Sequence, residues 1–416
     1  MENKQSRSEK LKSGLKRVEQ VIRAIGATGT NILLLSFAVF FIVMAMEIYL
    51  PFIAQYMESL GIPDLERGIF FSLIAAAAAC VLIPAGLLSD KIQRKWLIIV
   101  SGLGLALVEY FFTRAQLTWQ FYLLGILQGA FNGLIPPAAY ALLMEQATEK
   151  TRGTTMSVYL TITSVGAIFA PTLGGIVSTA TGTLATGFMW AAVFSVAGAA
   201  VALLIRRSGA GFKVSKIALP KRQLLTDSRF VSIMVAFGLL AVANGLLTVV
   251  LPIFALDELK MGDAFYGIFI TIFLLVITVT QAVAGTFSDK FGKIRSVLVA
   301  LSAYGAGLIL AAFATNGWML FVFCLPTAVG ASAYTPIFYS LIGDIIPSER
   351  RGLASGVLNF FYSAGLIGGP LFGGILQGIY GNRPVFPIAS FFVLATVAFV
   401  MLSFRRHRLV ARGGQE

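Results

Sequence analysis

Twelve long runs of apolar residues, separated by short polar segments, follow one another along the chain. An α-helix needs roughly 20 mostly apolar residues to cross the hydrocarbon core of a bilayer, and the runs are about that long or longer. Apolar residues are continuous within each run rather than alternating with polar ones, so the pattern predicts transmembrane helices and excludes a β-barrel. The predicted spans are 31–56, 68–89, 96–113, 119–145, 153–180, 187–205, 228–256, 264–287, 296–315, 318–342, 352–380 and 384–404.

The composition agrees with this pattern. Hydrophobic residues make up 57% of the chain and charged residues only 12%, whereas a soluble domain usually has about 25% charged residues. This shortage of charge excludes a soluble enzyme and a nucleic-acid-binding domain. Cys80 and Cys324 lie inside apolar runs and His407 lies in the C-terminal tail. This placement excludes a disulfide framework, a metal cluster and a histidine proton relay within the membrane. We therefore expect no metal, no cofactor and no enzymatic activity.

The distribution of positive charge predicts the orientation of the chain. Lys and Arg number 32 against 19 Asp and Glu, which gives a net charge of +13. If the N-terminus is cytoplasmic, 28 of the basic residues fall in cytoplasmic segments and 4 in outer ones. Basic residues concentrate in cytoplasmic loops. The sequence therefore predicts a multi-pass protein of the plasma (inner) membrane with both termini cytoplasmic, and the excess charge requires no nucleic-acid partner.

Three polar segments flank or divide the apolar core. Residues 1–30 are basic, with apolar side chains at helical spacing, and predict an amphipathic helix on the anionic cytoplasmic leaflet; a solvated tail is the alternative. A basic linker, 206–227, separates an N-terminal six-helix bundle, 31–205, from a C-terminal one, 228–404. Residues 405–416 form a cytoplasmic tail. No feature indicates an obligate oligomer, so we expect a monomer.

The two predicted bundles repeat each other at one constant offset. Pro137 matches Pro336, and the pair Arg152-Gly153 matches Arg351-Gly352. Both matches are separated by 199 positions, and further matches share that offset. Scattered chance matches would not share one offset, so the chain is a parallel duplication of six helices. In transporters built from two such halves the binding site lies near the membrane midplane between them.

A loop motif carries a specific resemblance. The loop after the second span reads Gly86-x-x-x-Asp90-Lys91-x-x-Arg94, and the loop after the eighth repeats it as Gly285-x-x-x-Asp289-Lys290-x-x-Lys293. This motif resembles the loop signature of the major facilitator superfamily, and the resemblance covers about residues 30–404. It implies an all-α membrane protein with 12 helices in two pseudo-symmetric bundles, which transports small molecules by alternating access.

The same motif implies a cytoplasmic gate. Its basic residues can pair with the acids that end the fourth and tenth spans, and such pairs would hold the cytoplasmic side shut and break on inward opening. The glycines would permit close helix approach; the alternative is that the charges only anchor the topology. The predicted gate residues are Gly86, Asp90, Lys91, Arg94, Glu145, Arg152, Gly285, Asp289, Lys290, Lys293, Asp344 and Arg351.

A second repeated motif is rich in glycine and proline. Small residues let two helices pack backbone to backbone, and proline bends the helix. In the fifth span the motif resembles the antiporter motif of drug exporters, and generic tight packing is the alternative. Its residues are Gly166, Pro171, Gly174 and Gly175 in the fifth span, and Gly365, Gly369, Pro370, Gly373 and Gly374 in the eleventh.

The first span narrows the resemblance. Met46-Glu47-Ile48-Tyr49-Leu50-Pro51 resembles a segment of the 12-span drug:proton antiporters related to Bcr and the chloramphenicol exporters, with Glu in place of Asp. Those relatives carry an Arg where this chain has Gly125, three residues before Gln128. If that Arg assists proton transfer in the relatives, coupling in this chain works without it.

Two acidic side chains, Glu47 and Glu109, lie in the middle of predicted spans, and no Lys or Arg does. Acids inside the membrane cost about 2.5–3.5 kcal/mol on insertion scales and are functional candidates by default. We expect both to serve proton coupling or substrate binding. A satisfied structural acid is the alternative for Glu47, and an acid reaching the outer surface is the alternative for Glu109. A cavity without a base suits neutral or cationic compounds better than anions.

The sequence thus predicts proton-coupled export of lipophilic neutral or cationic molecules, with the proton gradient as energy source. A lipid or glycolipid translocator and a proton-coupled sugar or metabolite carrier are the alternatives. The predicted cavity residues are Tyr49, Gln128, Asn132, Asn244, Tyr334, Phe338, Asn359 and Tyr362. Aromatic residues within spans are more often packing than ligand contacts, whereas an amide in apolar surroundings needs a partner.

Overall fold

The computed structural model describes residues 29–89, 91–147, 151–206, 228–346 and 351–413, with only the backbone described in 351–353 and 404–413. The described chain is almost entirely helical. Its α-helices are α1 Thr30–Tyr49, α2 Ile53–Ser59, α3 Asp64–Ser89, α4 Arg94–Phe112, α5 Thr118–Gln146, α6 Arg152–Thr181, α7 Ala185–Leu203, α8 Ser228–Ile253, α9 Asp263–Phe291, α10 Lys293–Ala312, α11 Gly317–Ile345, α12 Arg351–Tyr380 and α13 Val385–Gly413. A π-helical turn, Phe254–Glu258, continues α8.

The first and last helices differ from the predicted spans. The first predicted span, 31–56, is divided into α1 and α2 next to Pro51. Proline has no N–H to donate and its ring collides with the preceding turn, which explains the break. The last helix continues to Gly413, beyond the predicted end at 404.

Eleven helical segments among the described residues are long and apolar enough to cross a membrane. The set contains α1 with α2, α8 with its π-helical turn, and every other helix except α12. Eight of the 30 residues of α12 are glycine, which lowers its mean hydropathy. The predicted all-α membrane fold is confirmed.

The packing of the helices repeats between the two halves of the chain. In the first half, α1 packs against α6 and α7, α3 against α5, and α4 against α5 and α7. In the second half, α8 packs against α12 and α13, α9 against α11, and α10 against α11 and α13. The halves are joined by α3 on α12 and by α9 on α6. The duplication of sequence is therefore also a duplication of packing.

The two joins between halves are equivalent and lie at one end of the molecule. We call the end where α1 starts the terminal side and the opposite end the far side. A Cβ atom at Gly374 would collide with the carbonyl oxygen of Asp64, and one at Gly175 with that of Asp263. Each partner is 199 positions from its equivalent. We call these two crossings the far-side junctions, and both require glycine because backbone meets backbone.

Side-chain hydrogen bonds reinforce the junction between α6 and α9. The Thr172 hydroxyl donates to Oγ1 of Thr271 at 2.7 Å. Ser178 Oγ donates to a carboxylate oxygen of Asp263 at 2.5 Å. These bonds connect the first half to the second on the far side.

The terminal-side ends of α3 and α9 are uncovered. A Cβ atom at Gly86 or at Gly285 would meet no atom of the described residues within 4 Å. Nearby, Leu87 is 59% exposed and Phe287 is 57% exposed. Among the described residues, the molecule is therefore tightly joined on the far side and open at the terminal-side ends of α3 and α9.

Candidate functional site

A cavity of about 370 Å³ lies between the two halves. Its polar lining comes from the side chains of Asn132, Thr248 and Ser363, and among the described residues that line it none is charged. The remaining lining consists of Leu50, Phe71, Ile74, Ala75, Ala78, Ala79, Leu82, Gly133, Pro136, Leu366 and Pro370. The cavity is thus mostly apolar, with a few hydrogen-bonding groups.

Glu47 lies close to this cavity along the chain. It is half-buried in α1, three residues before Leu50, which lines the cavity. Residues three apart are neighbours on a helix surface. Glu47 also interacts electrostatically with Tyr49. Glu47 therefore lies one helical turn from a residue that lines the cavity and within electrostatic range of Tyr49.

Glu109 lies in the interior of the first half. Its side chain has no exposed surface, so the alternative in which it reaches the outer surface is wrong. The carboxyl group neighbours Ser195 and Tyr49. Neither of its oxygens makes a hydrogen bond within the described residues. An unpaired polar group in this position is costly, which makes Glu109 a functional candidate rather than a satisfied structural acid.

Tyr49 and Gln128 belong to the surroundings of Glu109 rather than to the lining of the cavity. Tyr49 packs between the rings of Phe112 and Phe188, at centroid distances of 6.0 and 5.0 Å. Gln128 is fully buried next to Tyr49. The Tyr49 hydroxyl and both polar atoms of Gln128 make no hydrogen bond within the described residues. We call Tyr49, Glu109, Gln128 and Ser195 the first-half polar cluster.

Most of the other predicted cavity residues form a separate aromatic group in the second half. Tyr334, Phe338 and Tyr362 surround Phe237, with ring centroids 6.1, 5.7 and 6.3 Å away. Nearby, Asn244 Oδ1 accepts a hydrogen bond of 2.8 Å from the hydroxyl of Tyr304. Asn359 is exposed and donates to the carbonyl oxygen of Ser355. Asn132 is the predicted residue that lines the cavity between the halves.

Two polar residues that line the cavity were not predicted from the sequence. Thr248 and Ser363 each place a hydroxyl on the lining. Hydroxyl residues are common inside membrane helices, where they bond to their own backbone, as Thr248 does to the carbonyl oxygen of Asn244. Their sequence positions therefore gave no signal of a site.

Comparison with known proteins decides the family. The family model described as "Major Facilitator Superfamily" matches residues 35–256 and 233–414. The chain belongs to the Major Facilitator Superfamily. It is a membrane transporter rather than an enzyme, as the sequence predicts.

Its relatives include named drug transporters. It is 26% identical over 386 residues to a protein named "Multidrug resistance protein MdtG" from Enterobacter lignolyticus, covering 89% of this chain and 91% of the relative. It is 24% identical over 385 residues to a "Multi-drug resistance efflux pump PmrA homolog" from Lactococcus lactis, covering 88% and 93%. The predicted resemblance to multidrug-type members is confirmed.

Solved structures share the superfamily fold. A bacterial homologue of the human lysosomal transporter Spinster, in an inward-facing and occupied conformation, superposes with a TM-score of 0.77 at 16% identity, covering 90% of this chain and 96% of that one. A mutant of the nucleoside transporter NupG superposes with a TM-score of 0.78 at 14% identity, covering 90% and 100%. At these identities the likeness shows the fold alone.

The loop motif of this superfamily member forms one ion pair in each half. Arg94 pairs with Glu145, and Lys293 Nζ lies 2.7 Å from a carboxylate oxygen of Asp344. Each pair joins helices of the same half, α4 with α5 and α10 with α11. Both pairs are formed in this structure, and their breaking on inward opening stays a prediction.

The other predicted gate residues are largely exposed. Lys91, Arg152, Asp289 and Lys290 lie on the surface. The expected close helix approach at Gly86 and Gly285 is absent, because no described atom comes within 4 Å of a Cβ built at either. Asp90 and the side chain of Arg351 lie outside the described residues.

The glycine-proline motif packs helices tightly in both halves. Gly166 and Gly174 of α6 approach the backbone of α1. Gly365, Gly369 and Gly373 of α12 approach the backbone of α8. Pro171 and Pro370 present their carbonyl oxygens to Gly267 and Gly68 across the far-side junctions. The motif therefore serves close packing within each half and between the halves.

Proposed function

We propose that this transporter exports lipophilic neutral or cationic compounds in exchange for protons. The observation that carries the proposal is the pairing of an uncharged, mostly apolar cavity with two carboxyl groups inside the membrane. Glu47 lies one helical turn from a residue of the cavity, and Glu109 is buried in the interior of the first half, in the first-half polar cluster. The names of the multidrug relatives support the same substrate class.

The lining of the cavity supports the substrate class. Anions such as phosphate esters are normally bound by Arg or Lys, and the lining contains neither. Asn132, Thr248 and Ser363 can each exchange a hydrogen bond with a neutral compound. Glu47 supplies a negative charge for a cation when it is ionised.

The two acids support the coupling to protons. A carboxyl group buried without a partner avoids the cost of a buried charge by binding a proton. If a proton and the compound both use Glu47, binding of one favours release of the other. The proton gradient then supplies the energy, and no cofactor is needed.

The open terminal side supports a direction. We assign it to the cytoplasm because 28 of the 32 basic residues fall there in the predicted topology. The compound then enters from the cytoplasm, and alternating access requires the far-side junctions to part for its release. We further propose a monomer in the plasma (inner) membrane, with residues 1–30, which include undescribed positions, near the anionic leaflet.

The test uses purified protein in proteoliposomes with an imposed pH gradient and a panel of lipophilic cations, neutral compounds, sugars and lipids. We expect proton-driven uptake of cations and neutral compounds into inside-out vesicles, and proton release when the compound binds in detergent. Glu47→Gln should abolish that release, whereas Glu66→Gln, at an acid on the far side, should not. Normal proton exchange in Glu47→Gln, or transport of sugars or lipids alone, contradicts the proposal.

A further inference from the structure

Two acidic side chains from opposite halves face each other on the far side. Glu58 lies in α2, and Asp257 lies in the π-helical turn after α8. Their positions differ by 199, so the duplication places them at equivalent sites. Residues equivalent under a pseudo-two-fold axis meet where they lie close to that axis. The Glu58 carboxyl is within hydrogen-bonding reach of Asp257.

A neighbouring contact fixes the same geometry. Gln55 precedes Glu58 by three residues, which places both on one helix face. Its Nε2 approaches Oδ1 of Asp257 at 3.5 Å. The facing pair is therefore part of an extended contact between α2 and the π-helical turn.

The negative charge around this pair exceeds the positive charge. Arg67 of α3 is 3% exposed, contacts Asp64, and brings Nη1 to 3.4 Å from Oε2 of Glu58. Two carboxyl groups, those of Glu58 and Asp64, thus share one guanidinium group, and Asp257 adds a third carboxyl group beside Glu58. Arg67 is almost fully buried, and its Nε and Nη1 make no hydrogen bond within the described residues. The buried oxygens Oε2 of Glu58 and Oδ2 of Asp257 also lack hydrogen bonds there.

Two other acidic groups on the far side have partners of their own. The Arg383 guanidinium lies 2.6 Å from Oε1 of Glu258, and Asp263 accepts from Ser178. Arg67 is the cation for which the described residues show a contact with the pair, and that contact is with Glu58 rather than Asp257. Two carboxylates this close repel each other unless one of them holds a proton.

We infer that a proton on Glu58, held in a hydrogen bond to Asp257, keeps the far side of the transporter closed. In the closed state the Glu58 carboxyl donates its O–H to an oxygen of Asp257. When the proton leaves, the two carboxylates repel each other, and this repulsion favours separation of the halves. Neither Glu47 nor Glu109 takes part.

A proton that arrives from the far side and binds at this site changes the conformation of the transporter. The proton joins the two halves next to the far-side junctions and returns the molecule to the state that is open on the terminal side. Its link to export rests on the proposed function. Closure itself can be measured without any transported compound.

The test measures the distance across the far side as a function of pH. Spin labels are placed at Ser59→Cys and Gly262→Cys, two exposed positions, in a Cys80→Ser, Cys324→Ala background reconstituted in lipid nanodiscs. Double electron–electron resonance then reports the short and long distances. We expect the ratio of closed to open molecules to fall by up to about tenfold per pH unit, as for one bound proton.

Removing the ionisable pair should remove this dependence. Glu58→Gln and Asp257→Asn each keep a hydrogen-bond donor between the halves without the repulsion. We expect either variant to stay closed at every pH, while Glu66→Gln follows the unmodified profile. An unchanged pH profile in both variants, or a pH-independent distance in the unmodified transporter, overturns the inference.

The outcomes separate this inference from the proposed function. Loss of the distance change in Glu58→Gln with retained proton release on compound binding supports the far-side proton site and the proton exchange together. If the pH profile of the distance is unchanged in Glu58→Gln and Asp257→Asn while Glu47→Gln abolishes proton release, the far-side site alone is overturned. A normal release in Glu47→Gln with a pH-dependent distance contradicts the proposed function alone.

Discussion

The interior of the first half holds Glu47, Glu109 and Gln128, whereas the equivalent positions of the second half hold Leu246, Leu308 and Thr327. Both halves nevertheless pack their helices in the same way. The duplicated chain has kept its packing and changed its chemistry. The features that join and move the halves are symmetric, and the groups that can bind a proton in the interior lie on one side.

The far side shows the opposite relation. There the equivalent positions carry the same kind of group, Glu58 and Asp257, and the equivalent glycines Gly175 and Gly374 make the same backbone contact. Symmetry is therefore retained where the halves must meet. This difference predicts which substitutions matter in one half and which matter equally in both.

The largest expected difference is in the two ion pairs of the loop motif. Arg94 is 5% exposed beside Glu145, which is 12% exposed, whereas Lys293 is 23% and Asp344 58% exposed. Removing one partner of a buried pair costs about 3–5 kcal/mol, and an exposed pair contributes about 0–1 kcal/mol. We expect Arg94→Met to lower the unfolding free energy far more than Lys293→Met, measured by denaturant titration in micelles. Equal losses would show that the two pairs are energetically equivalent despite their burial.

A smaller effect is expected from exchanging the interior chemistry of the halves. Leu308→Glu places an acid at the position equivalent to Glu109, and should destabilise the protein by about 2.5–3.5 kcal/mol. Glu109→Leu should not destabilise it, because it removes an unpaired buried group. It should still reduce the release of protons on compound binding. Thermal unfolding and the proton-release assay measure the two effects, and a clearly destabilised Glu109→Leu would assign Glu109 a structural role.

The smallest difference is expected at the far-side junctions. Gly175→Val and Gly374→Val both force a side chain against backbone, and overpacking costs about 1–3 kcal/mol. Because the contact exists when the far side is closed, the ratio of closed to open molecules should fall about 5- to 150-fold. We expect the same fall in both variants and none in Gly153→Val, where a Cβ has free space. Spin-label distances across the far side provide the measurement, and unequal falls would argue against equivalent junctions.

Much of the fold follows from sequence because its signals are local or periodic. Apolar runs mark the helices, and the offset of 199 marks the halves. The contacts of Arg94 with Glu145 and of Lys293 with Asp344 followed from the repeated motif. The conformation in which these ion pairs are found did not follow from the motif, because it depends on how the helices are arranged around them.

The site was less predictable because it depends on helix rotation. Glu109 could face lipid or protein on the same helix, and packing of α4 against α5 and α7 decides for protein. Tyr49 lies two residues from Glu47, yet its ring turns towards Phe188. Thr248 and Ser363 line the cavity because the two halves come together there. No local sequence pattern predicts such a contact between distant parts of the chain.

The position of the far-side junctions has a consequence for the scale of movement. Gly68 contacts α12 near the start of α3, and Gly86 lies 18 residues further along the same helix. At 1.5 Å per residue, that helix forms a lever arm of about 27 Å. A tilt of about 10° then displaces the terminal-side end by about 5 Å, roughly the pitch of one helical turn. A small tilt at the far-side junction is therefore amplified at the other end of the helix into a displacement that opens or shuts a passage wide enough for an organic molecule.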